Sequence, residues 1–392
     1  MRILWFMKKQ LDVAVDRTVR LEMMRALEDL GHEVVLVTGY RKERERFGFG
    51  ESIRFLDTVS LPFLFHMTFM SSLRNRLLDL LEEIKPDVVV LDPWTAWAAA
   101  MIARRVEERP RVIVDVRTLP VQLKGLRKVL SEVLFRRGIE AATAHADGVS
   151  VITEPMREIL ITEYGLDAGM PCAIWSSGVN TESFSPERVS TSESSLVRSA
   201  CGLADGDFVI MYHGTLTRSR GLLNLVDSMD IVRKSIPGAR LLLVGRGLDV
   251  EDILCRVEKL GLQDVVGYVG AVPHSDIPRY VASCDVGILP FPDYVGWRVS
   301  SPIKLMEYLA MERPVVVTDI VAHRTVLGAS GVGFYAADSR ASSLAAAIMS
   351  AWKSGSDGRL QAGRIGRTLV ASQFTWDAQA RKMAGLMKVV TG

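Results

Sequence analysis

Short apolar runs alternate with longer segments of helical spacing along the chain. In the first half, apolar and β-branched runs predict strands at residues 2–6, 33–38, 87–91, 111–115 and 149–153. The segments between them repeat apolar residues at helical intervals, and the first of these, residues 16–30, stops at Gly31. Strands and helices that alternate in this way are typical of a parallel sheet covered by helices on both faces.

The same alternation begins again in the second half. Strands are predicted at residues 207–212, 240–244, 265–269, 286–289 and 314–318, and helices at about 220–235, 249–260, 275–282, 302–311 and 339–353. Small, polar and turn-forming residues at 176–186, and the serine-rich stretch after them, suit a hinge between the two halves. We therefore predict an α/β protein of two tandem doubly wound, Rossmann-like domains, residues 1–176 and 177–373.

Ligands of open parallel sheets bind outside the carboxyl ends of the strands. Two such sheets that face each other would form a cleft between the domains. Active-site residues are therefore expected to follow strands, and both domains are expected to contribute them.

Composition and charge narrow the class of protein. The chain has 392 residues, 48% of them hydrophobic, which is enough for two buried cores. A net charge of +2 does not indicate a nucleic-acid partner. The four cysteines are scattered without metal-ligand spacing, which favours reduced thiols in a cytoplasmic protein and no metal site. Neither a signal peptide nor a membrane span is predicted, because Lys8 follows the first strand and Asp92 interrupts the longest apolar stretch.

The first candidate for chemistry is the segment 212–221, which joins a predicted strand to a predicted helix. Gly214 and Gly221 allow the backbone to approach a ligand closely. Arg218 and Arg220 stand beside the helix N-terminus, which itself favours anions. Together these features suit a diphosphate, with Gly214 and Thr215 lining the site. The alternative is an ordinary loop with solvated arginines.

The second candidate is the segment 300–310. Ser301 suits a helix N-cap and Pro302 suits the first helical position. Lys304 near the helix start opposes the helix dipole, and a bound phosphate would remove that conflict. Glu307 lies one turn further on and could accept hydrogen bonds from sugar or ribose hydroxyls. The alternative is a plain Lys–Glu pair within the helix.

Weaker signals follow three other predicted strands. Gly245 and Arg246 end one strand in a Gly-x-Gly pattern that lacks the third glycine of a dinucleotide fingerprint. Tyr268 and Val269 end the next strand and could seat a flat base, although a simple turn explains them equally well. In the first half, Asp115 could orient an acceptor hydroxyl or take its proton, or it could anchor a loop.

Taken in order, these segments resemble glycosyltransferase family 4 of the GT-B fold. Further motifs that carry the resemblance are Gly-His-Glu-Val at 31–34, Ala-Asp-Gly-Val at 146–149, Ser-Gly-Val-Asn at 177–180, Leu-Val-Gly-Arg-Gly at 243–247 and Arg-Pro-Val-Val-Val-Thr-Asp at 313–319. The similarity runs from Met1 to the final helix. Phe-Thr-Trp-Asp at 374–377 resembles the start of the family's last helix, which returns to the N-terminal domain; this assigns residues 374–392 to that domain.

The resemblance implies retaining transfer from a nucleotide-diphosphate sugar, with no cofactor and no metal needed for donor binding. Arg220 matches the basic residue that binds the donor diphosphate, and Glu307 matches the glutamate that holds the ribose. Ser301, Pro302 and Ile303 match the segment whose amides hold the diphosphate. The implied acceptor is a glycan, a lipid-linked molecule or a small molecule.

Three positions depart from the family pattern. The earlier glutamate of the family's pair is Val299, and the arginine after the strand is Thr215, for which Arg218 is a candidate substitute. The glycine-rich N-terminal loop is replaced by residues 8–14. Two alternatives stay open: a non-hydrolysing nucleotide-sugar epimerase of the same fold, and a catalytically inactive protein that binds sugar nucleotides. The missing glutamate at Val299 favours the second of these.

The acceptor side carries two further patterns. Residues 61–70 are unusually apolar and could cover a lipid-linked acceptor or touch a membrane; core packing is the alternative. A predicted helix nearby carries a run of basic residues that could meet anionic headgroups or simply be solvated, namely Lys124, Arg127, Lys128, Arg136 and Arg137. We therefore expect a cytoplasmic protein with a possible site at the inner membrane face.

Overall fold

The computed structural model describes residues 1–8, 17–39, 52–59, 61–121 and 125–392. It divides into two compact units: unit 1 consists of Met1–Ser177 and Trp376–Gly392, and unit 2 consists of Gly178–Thr375. The domain boundaries predicted from the sequence lie within two residues of these. Residues 9–14 of the predicted loop replacement, and Lys124 of the basic helix, lie outside the described residues.

Unit 1 contains a parallel sheet of seven strands in the order β3-β2-β1-β4-β5-β6-β7. The strands are β1 (Arg2–Met7), β2 (Glu33–Gly39), β3 (Ile53–Leu56), β4 (Val88–Leu91), β5 (Arg111–Val116), β6 (Gly148–Val151) and β7 (Cys172–Ile174). The helices are α1 (Arg17–Asp29), α2 (Pro62–Ile84), α3 (Trp97–Arg105), α4 (Gly125–His145) and α5 (Glu154–Tyr164). All four residues of β4 are buried, as expected for a strand covered on both faces.

Unit 2 contains a parallel sheet of six strands in the order β10-β9-β8-β11-β12-β13. The strands are β8 (Phe208–Thr215), β9 (Ala239–Arg246), β10 (Val266–Val269), β11 (Val286–Leu289), β12 (Val315–Thr318) and β13 (Gly333–Ala336). The helices are α6 (Thr191–Ala200), α7 (Leu222–Ser235), α8 (Val250–Lys259), α9 (Ile277–Ala282), α10 (Val295–Arg298), α11 (Ile303–Ala310), α12 (Val321–Leu327), α13 (Ala341–Lys353) and α14 (Gly355–Gln373).

The strand order of unit 2 fixes where a ligand is expected. From β8 the chain builds outward through β9 to β10, and then returns to build β11, β12 and β13 on the other side. The direction of winding therefore reverses between β8 and β11. In doubly wound sheets the ligand crevice lies at this switch point, outside the carboxyl ends of the strands.

The last helix, α15 (Trp376–Thr391), belongs to unit 1 and packs against α1 and strands β5, β6 and β7. Just before it, Val179 and Thr375 form an isolated parallel bridge, and the Val179 amide donates to the Phe374 carbonyl at 2.8 Å. The segments that leave and re-enter unit 1 are thus paired side by side. No described helix is both long enough and apolar enough to cross a bilayer.

Candidate active site

Glycines at the switch point of unit 2 allow the backbone to pack beneath a lysine. Gly214 near the end of β8 has φ 110°, and a Cβ there would lie 3.2 Å from Cε of Lys304. Gly245 of β9 has φ 140°, and a Cβ there would overlap the Gly214 carbonyl. Only glycine fits either position, because both need a left-handed backbone and a close contact.

Arg220 lies at the start of α7, in a 3₁₀ turn that ends at Gly221. A side chain at Gly221 would overlap the Pro290 carbonyl, so the turn is held close to the end of β11. The Arg220 guanidinium carbon lies 5.0 Å from the Trp297 ring centroid and 5.6 Å from that of Phe291. Among the described residues Arg220 forms no ion pair, so aromatic faces rather than carboxylates surround its charge.

Lys304 lies in the first turn of α11 and shares the ring of Phe291 with Arg220. Its ammonium nitrogen is 5.6 Å from the Tyr212 ring centroid and 5.7 Å from that of Phe291. Burial and the Arg220 guanidinium lower the pKa of Lys304 to about 7, against the opposing effect of Glu307. Within the part of the chain that the structure describes, Lys304 has no ion-pair partner. Two neighbouring cations without a carboxylate between them make this a candidate site for an anion.

The start of α11 differs from the sequence-based prediction by one residue. Ser301 was expected to cap the helix, but Pro302 occupies the N-cap position and no side chain there caps the helix. Ile303 is the first helical residue, so Pro302 is not in the first turn. The preceding residue Ser300 is bound into the turn after α10, where its hydroxyl donates to the Trp297 carbonyl at 2.8 Å. The amide end of α11 therefore lacks a side-chain cap beside Lys304.

Glu307 lies one turn beyond Lys304 and is buried between two histidines. Its Oε1 is 2.7 Å from Nε2 of His274, and its Oε2 is 3.4 Å from Nε2 of His213. Burial alone would raise the pKa of Glu307, but the His274 hydrogen bond and the nearby His213, His274 and Lys304 charges lower it overall. Glu307 is therefore a carboxylate at neutral pH, ready to accept hydrogen bonds.

Tyr308 fixes this arrangement to the sheet. Its hydroxyl donates to the Met211 carbonyl at 2.8 Å and accepts from the His213 amide at 3.2 Å. Its ring lies directly over Gly287 of β11, where any Cβ would overlap it. Helix α11 is thereby locked to both β8 and β11, so the positions of Lys304 and Glu307 are set by buried contacts.

The ends of β9 and β10 lie beside this site in the sheet order. The Tyr268 hydroxyl donates to the Gly245 carbonyl at 3.2 Å, and 38% of the Tyr268 residue is exposed. Val269 is partly buried, and Arg246 is exposed at the end of β9. Thr215 ends β8, and its carbonyl accepts from the Tyr212 hydroxyl at 3.0 Å. The carboxyl ends of β10, β9 and β8 are therefore neighbours in the sheet, and they connect the candidate base-binding residues Tyr268 and Val269 to the region of Lys304.

Arg218 does not join Arg220 and Lys304, although it is only two residues from Arg220. Its guanidinium forms ion pairs with Asp249 at 3.2 Å and Asp252 at 2.5 Å, at the start of α8. Its amide also donates to Asp249 at 2.8 Å. The structure therefore does not bring Arg218 together with Arg220 and Lys304, and it does not support Arg218 as the substitute for the missing arginine at Thr215, because two carboxylates at the start of α8 already hold its charge.

Asp115 is likewise not available to a ligand. Its carboxylate is buried in unit 1, where it pairs with Arg20 at 2.5 Å and accepts from the Ser150 hydroxyl at 2.8 Å. The neighbouring Arg117 stacks on Trp175 at 3.5 Å from the ring centroid. The prediction of Asp115 as an accessible acid–base residue is wrong, and the alternative of a structural aspartate describes its contacts.

Some residues of the site escaped the sequence-based reasoning. His213, His274 and Trp297 come from three different segments, and nothing in their spacing brings them together. The closeness of Trp297 arises from its indole N–H, which donates to the Ser219 carbonyl at 2.8 Å in the Arg220 turn. No cluster of three or more His, Cys, Asp or Glu side chains among the described residues could hold a metal ion.

Family models match both halves of the chain. The model described as "Glycosyl transferases group 1" matches residues 207–354, within unit 2. The model described as "Glycosyl transferase 4-like domain" matches residues 17–172, within unit 1. Each model thus corresponds to one of the two parallel sheets.

Two curated relatives align with part of the chain. "Putative glycosyltransferase EpsD" of Bacillus subtilis is 29% identical over 157 residues, which is 40% of this chain and 39% of that protein. "GDP-mannose-dependent alpha-(1-6)-phosphatidylinositol monomannoside mannosyltransferase" of Mycobacterium tuberculosis is 25% identical over 213 residues, 54% of each chain. The alignments therefore span between about two fifths and about half of these relatives.

Solved structures share the whole fold at low sequence identity. Anabaena Alr3699/HepE in complex with UDP has a TM-score of 0.80 at 15% identity and covers 99% of this chain and 100% of its own. Sucrose-phosphate synthase from Thermosynechococcus elongatus has a TM-score of 0.79 at 18% identity and covers 99% and 98%. With both units matched by family models and the fold shared over nearly the full length, the chain belongs to glycosyltransferase family 4 of the GT-B fold.

Proposed function

We propose that the chain transfers a sugar, with retention of anomeric configuration, from a nucleotide-diphosphate sugar to an acceptor. The observation that supports this most directly is the Arg220–Lys304 pair, two cations around Phe291 at the switch point of unit 2. Neither has an ion-pair partner among the described residues, so an anionic ligand is the expected occupant. Retention, and the lack of need for a metal or cofactor, rest on the family resemblance.

The chemistry of the pair is stabilisation of the leaving group. As the glycosidic bond of the donor breaks, negative charge grows on the diphosphate. Cations and helix amides already in place stabilise that charge most in the transition state, which lowers the barrier. We propose that Arg220, Lys304 and the amides at Ile303 supply this stabilisation, and that Ser301 and Pro302 shape the approach to it.

We propose that the nucleoside part of the donor binds at Glu307 and at the carboxyl ends of β9 and β10. Glu307 is proposed to accept from the ribose hydroxyls, as the resemblance implies. Tyr268, Val269, Gly245 and Arg246 are proposed to seat the base at the ends of β9 and β10. UDP in one structural relative and GDP-mannose in the name of one curated relative suggest that both bases be tested.

The two alternatives receive less support from the geometry. An epimerase needs acid–base groups around the sugar, and Asp115, the candidate for this role, is held in a buried ion pair with Arg20. A catalytically inactive binding protein is suggested by Val299, which stands where the family has a glutamate and is buried. Donor turnover separates these functions, since a sensor would bind donor without turnover and an epimerase would convert it without an acceptor.

A pair of neighbouring arginines offers a matched test of the donor site. Arg220→Ala is expected to lower turnover of a UDP- or GDP-sugar by about 10²–10³-fold, by analogy with loss of one oxyanion donor. Glu307→Ala is expected to lower turnover through lost donor binding. Arg218→Ala is the control, because its charge is already paired with Asp249 and Asp252. Near-normal turnover in both test variants, or an equal loss in the Arg218 control, would contradict the assignment.

We also propose that the acceptor is a glycan or lipid-linked molecule met at the cytoplasmic face of a membrane. A curated relative named for a phosphatidylinositol mannoside supports a lipid acceptor. In unit 1, α4 presents aliphatic side chains outward that are between 43% and 59% exposed, namely Val129, Leu130, Val133 and Leu134. A surface helix normally presents polar residues to water, so this face is suited to an apolar environment.

Cations border this aliphatic face of α4. Arg127, Lys128, Arg136 and Arg137 are exposed on the same helix. In the described ranges Arg127, Lys128 and Arg137 form no ion pair, so their charges remain available. The start of α2 adds Leu61 and Met67, each 60% exposed, while Phe65 and Phe69 of that helix are buried. Aliphatic residues bordered by basic ones are typical of helices that lie on anionic bilayers.

Vesicle co-sedimentation tests this surface. The full chain is expected to bind vesicles that contain anionic phosphatidylglycerol at low salt, and to bind less as salt rises. Leu130→Ser/Leu134→Ser and Arg127→Ala/Lys128→Ala/Arg137→Ala are each expected to weaken binding at least tenfold. Controls are Leu196→Ser and Lys259→Ala/Lys353→Ala/Arg364→Ala, which change exposed residues of unit 2. No binding to anionic vesicles, or equal binding by test and control variants, would contradict the proposal.

A further inference from the structure

The buried carboxylate of Glu307 is held by a histidine from a distant loop. His274 begins the 3₁₀ turn His274–Asp276, which follows β10 at the edge of the sheet. Glu307 lies in α11, which follows β11. The 2.7 Å contact between them therefore spans the carboxyl ends of β9 and β8. The contact therefore links the loop after β10 to helix α11, which lie on opposite sides of the switch point.

The His274 ring also packs against a buried aromatic residue. Its ring lies 5.4 Å from that of Phe184, and Phe184 is only 2% exposed. The Phe184 amide donates to the Asn180 carbonyl at 2.9 Å, which fixes the backbone that carries the ring. About half of the His274 side chain remains exposed. His274 therefore contacts both Phe184 and Glu307 while part of its side chain remains exposed.

The two oxygens of Glu307 have different surroundings. Oε1 is engaged by His274, whereas Oε2 is 3.4 Å from the His213 imidazole without a hydrogen bond between them. Nε2 of His213 is buried and has no hydrogen-bond partner among the described residues. A buried imidazole nitrogen without a partner is costly, so a polar ligand group is expected there. A hydroxyl group matches both atoms, because it can donate to one and accept from the other.

We infer that His274 is a positioning residue for the donor. It fixes Glu307 through Oε1, so that Oε2 and Nε2 of His213 together bind hydroxyl groups of the donor's ribose. The inference rests on the proposed function of the site and adds two histidines to it. Glu307 contributes the acceptor, the buried Nε2 of His213 adds a second polar atom beside it, and His274 sets the position of Glu307.

Nucleotide binding with and without ribose hydroxyls tests this role. Calorimetric affinities are measured for UDP and GDP and for their 2′,3′-dideoxy analogues. For whichever ribonucleotide binds, His274→Ala is expected to weaken affinity about tenfold, the loss typical of a hydrogen bond to a charged group. The dideoxy analogue, which lacks the hydroxyls, is expected to bind the variant and the natural chain alike. His274→Gln, which keeps an N–H donor, should recover part of the loss, and Ser275→Ala in the same turn is the matched control.

A double-mutant cycle shows whether His274 acts through Glu307. If it does, His274→Ala is expected to weaken affinity far less in a Glu307→Gln background than in the natural chain. Additive losses, or equal losses for ribose and dideoxy nucleotides, would overturn the inference and leave the proposed function intact. If the natural chain binds neither UDP nor GDP, the proposed function is overturned and the inference with it.

Discussion

Asp115 lies near the end of β5 in unit 1, and Lys304 lies in α11, which comes after β11 in unit 2. The two charges have different surroundings. Asp115 is neutralised by Arg20 and bound by Ser150, all within the buried core. Lys304 shares its surroundings with Arg220, a second cation, and with aromatic faces. Position at or after the end of a strand therefore does not by itself distinguish the two charges. We expect the charge without an ion-pair partner to be the one that binds a ligand.

The largest expected effect is the loss of stability when the ion pair between Asp115 and Arg20 is broken. Asp115→Ala removes the carboxylate of a buried ion pair with Arg20, and breaking a buried pair typically lowers the free energy of unfolding by about 3–5 kcal/mol. Chemical denaturation of the variant measures this loss. Nucleotide affinity of the folded variant should be unchanged, because Asp115 lies in unit 1. A loss of stability below about 1 kcal/mol would contradict the structural role of the pair.

Changing Lys304, which has no ion-pair partner among the described residues, should affect turnover and not stability. Lys304→Met is expected to lower turnover about 10²–10³-fold, because it removes a cation that meets the growing negative charge. Its free energy of unfolding should be nearly unchanged, since no ion pair of the described residues is broken. Turnover and denaturation are measured on the same preparation. A strongly destabilised variant with normal turnover would show that Lys304 is structural.

The pH dependence of donor binding sharpens this contrast. The pKa of Lys304 is lowered to about 7, so the free site is partly neutral at that pH. A bound diphosphate favours the ammonium form and raises this pKa, so affinity should fall as pH rises above 7. If only the ammonium form binds, the loss is roughly tenfold between pH 6.5 and 8. A nucleotide sugar is the probe, since its diphosphate does not titrate in this range.

The control for this profile is Lys304→Arg, which keeps the charge at all these pH values. The variant is expected to bind with weak dependence on pH. A profile that is flat for the natural chain, or equally steep for the Lys304→Arg variant, would mean that another group controls binding.

The smallest expected effect is at Arg218. Its guanidinium is exposed and bound by Asp249 and Asp252, and surface pairs of this kind contribute little. Arg218→Ala should change nucleotide affinity by less than about twofold in a calorimetric titration. A loss comparable to that of Arg220→Ala would show that Arg218 also binds the diphosphate. The ion pairs of Arg218 would then not distinguish it from Arg220.

The periodicity of the sequence was sufficient for most strands but not for all of them. The strands β4 and β12 have only four residues each, but each begins with three consecutive valines, which predict buried parallel strands. The strands β3, β7 and β13 escaped prediction, because β3 is interrupted by Arg54, β13 begins with Gly333, and β7 (Cys172–Ile174) has only three residues. Helix α14 was also missed, since it contains four glycines. Two of them, Gly363 and Gly366, allow close contact with Glu312 and Leu309.

Some residues of the candidate site could likewise be predicted from the sequence, and others could not. Gly214, Arg220, Lys304 and Glu307 could be chosen from local order along the chain, because each lies near the end of a strand or in the first turns of a helix. Arg218 and Asp115 met the same criterion but are paired with Asp249, Asp252 and Arg20, which are distant in sequence. His274 reaches Glu307 across 33 positions of sequence. Contacts of this range depend on tertiary packing, which local spacing does not encode.

Thermal unfolding in the presence of nucleotides tests the central claim most directly. A ligand that binds only the folded chain raises its melting temperature by mass action. UDP or GDP is expected to raise the melting temperature of the natural chain and of Arg218→Ala, and to have little effect on Arg220→Ala. Uridine and guanosine, which lack the diphosphate, should leave it unchanged. If neither UDP nor GDP shifts the natural chain, or if Arg220→Ala is stabilised equally, the Arg220–Lys304 pair is not a diphosphate site.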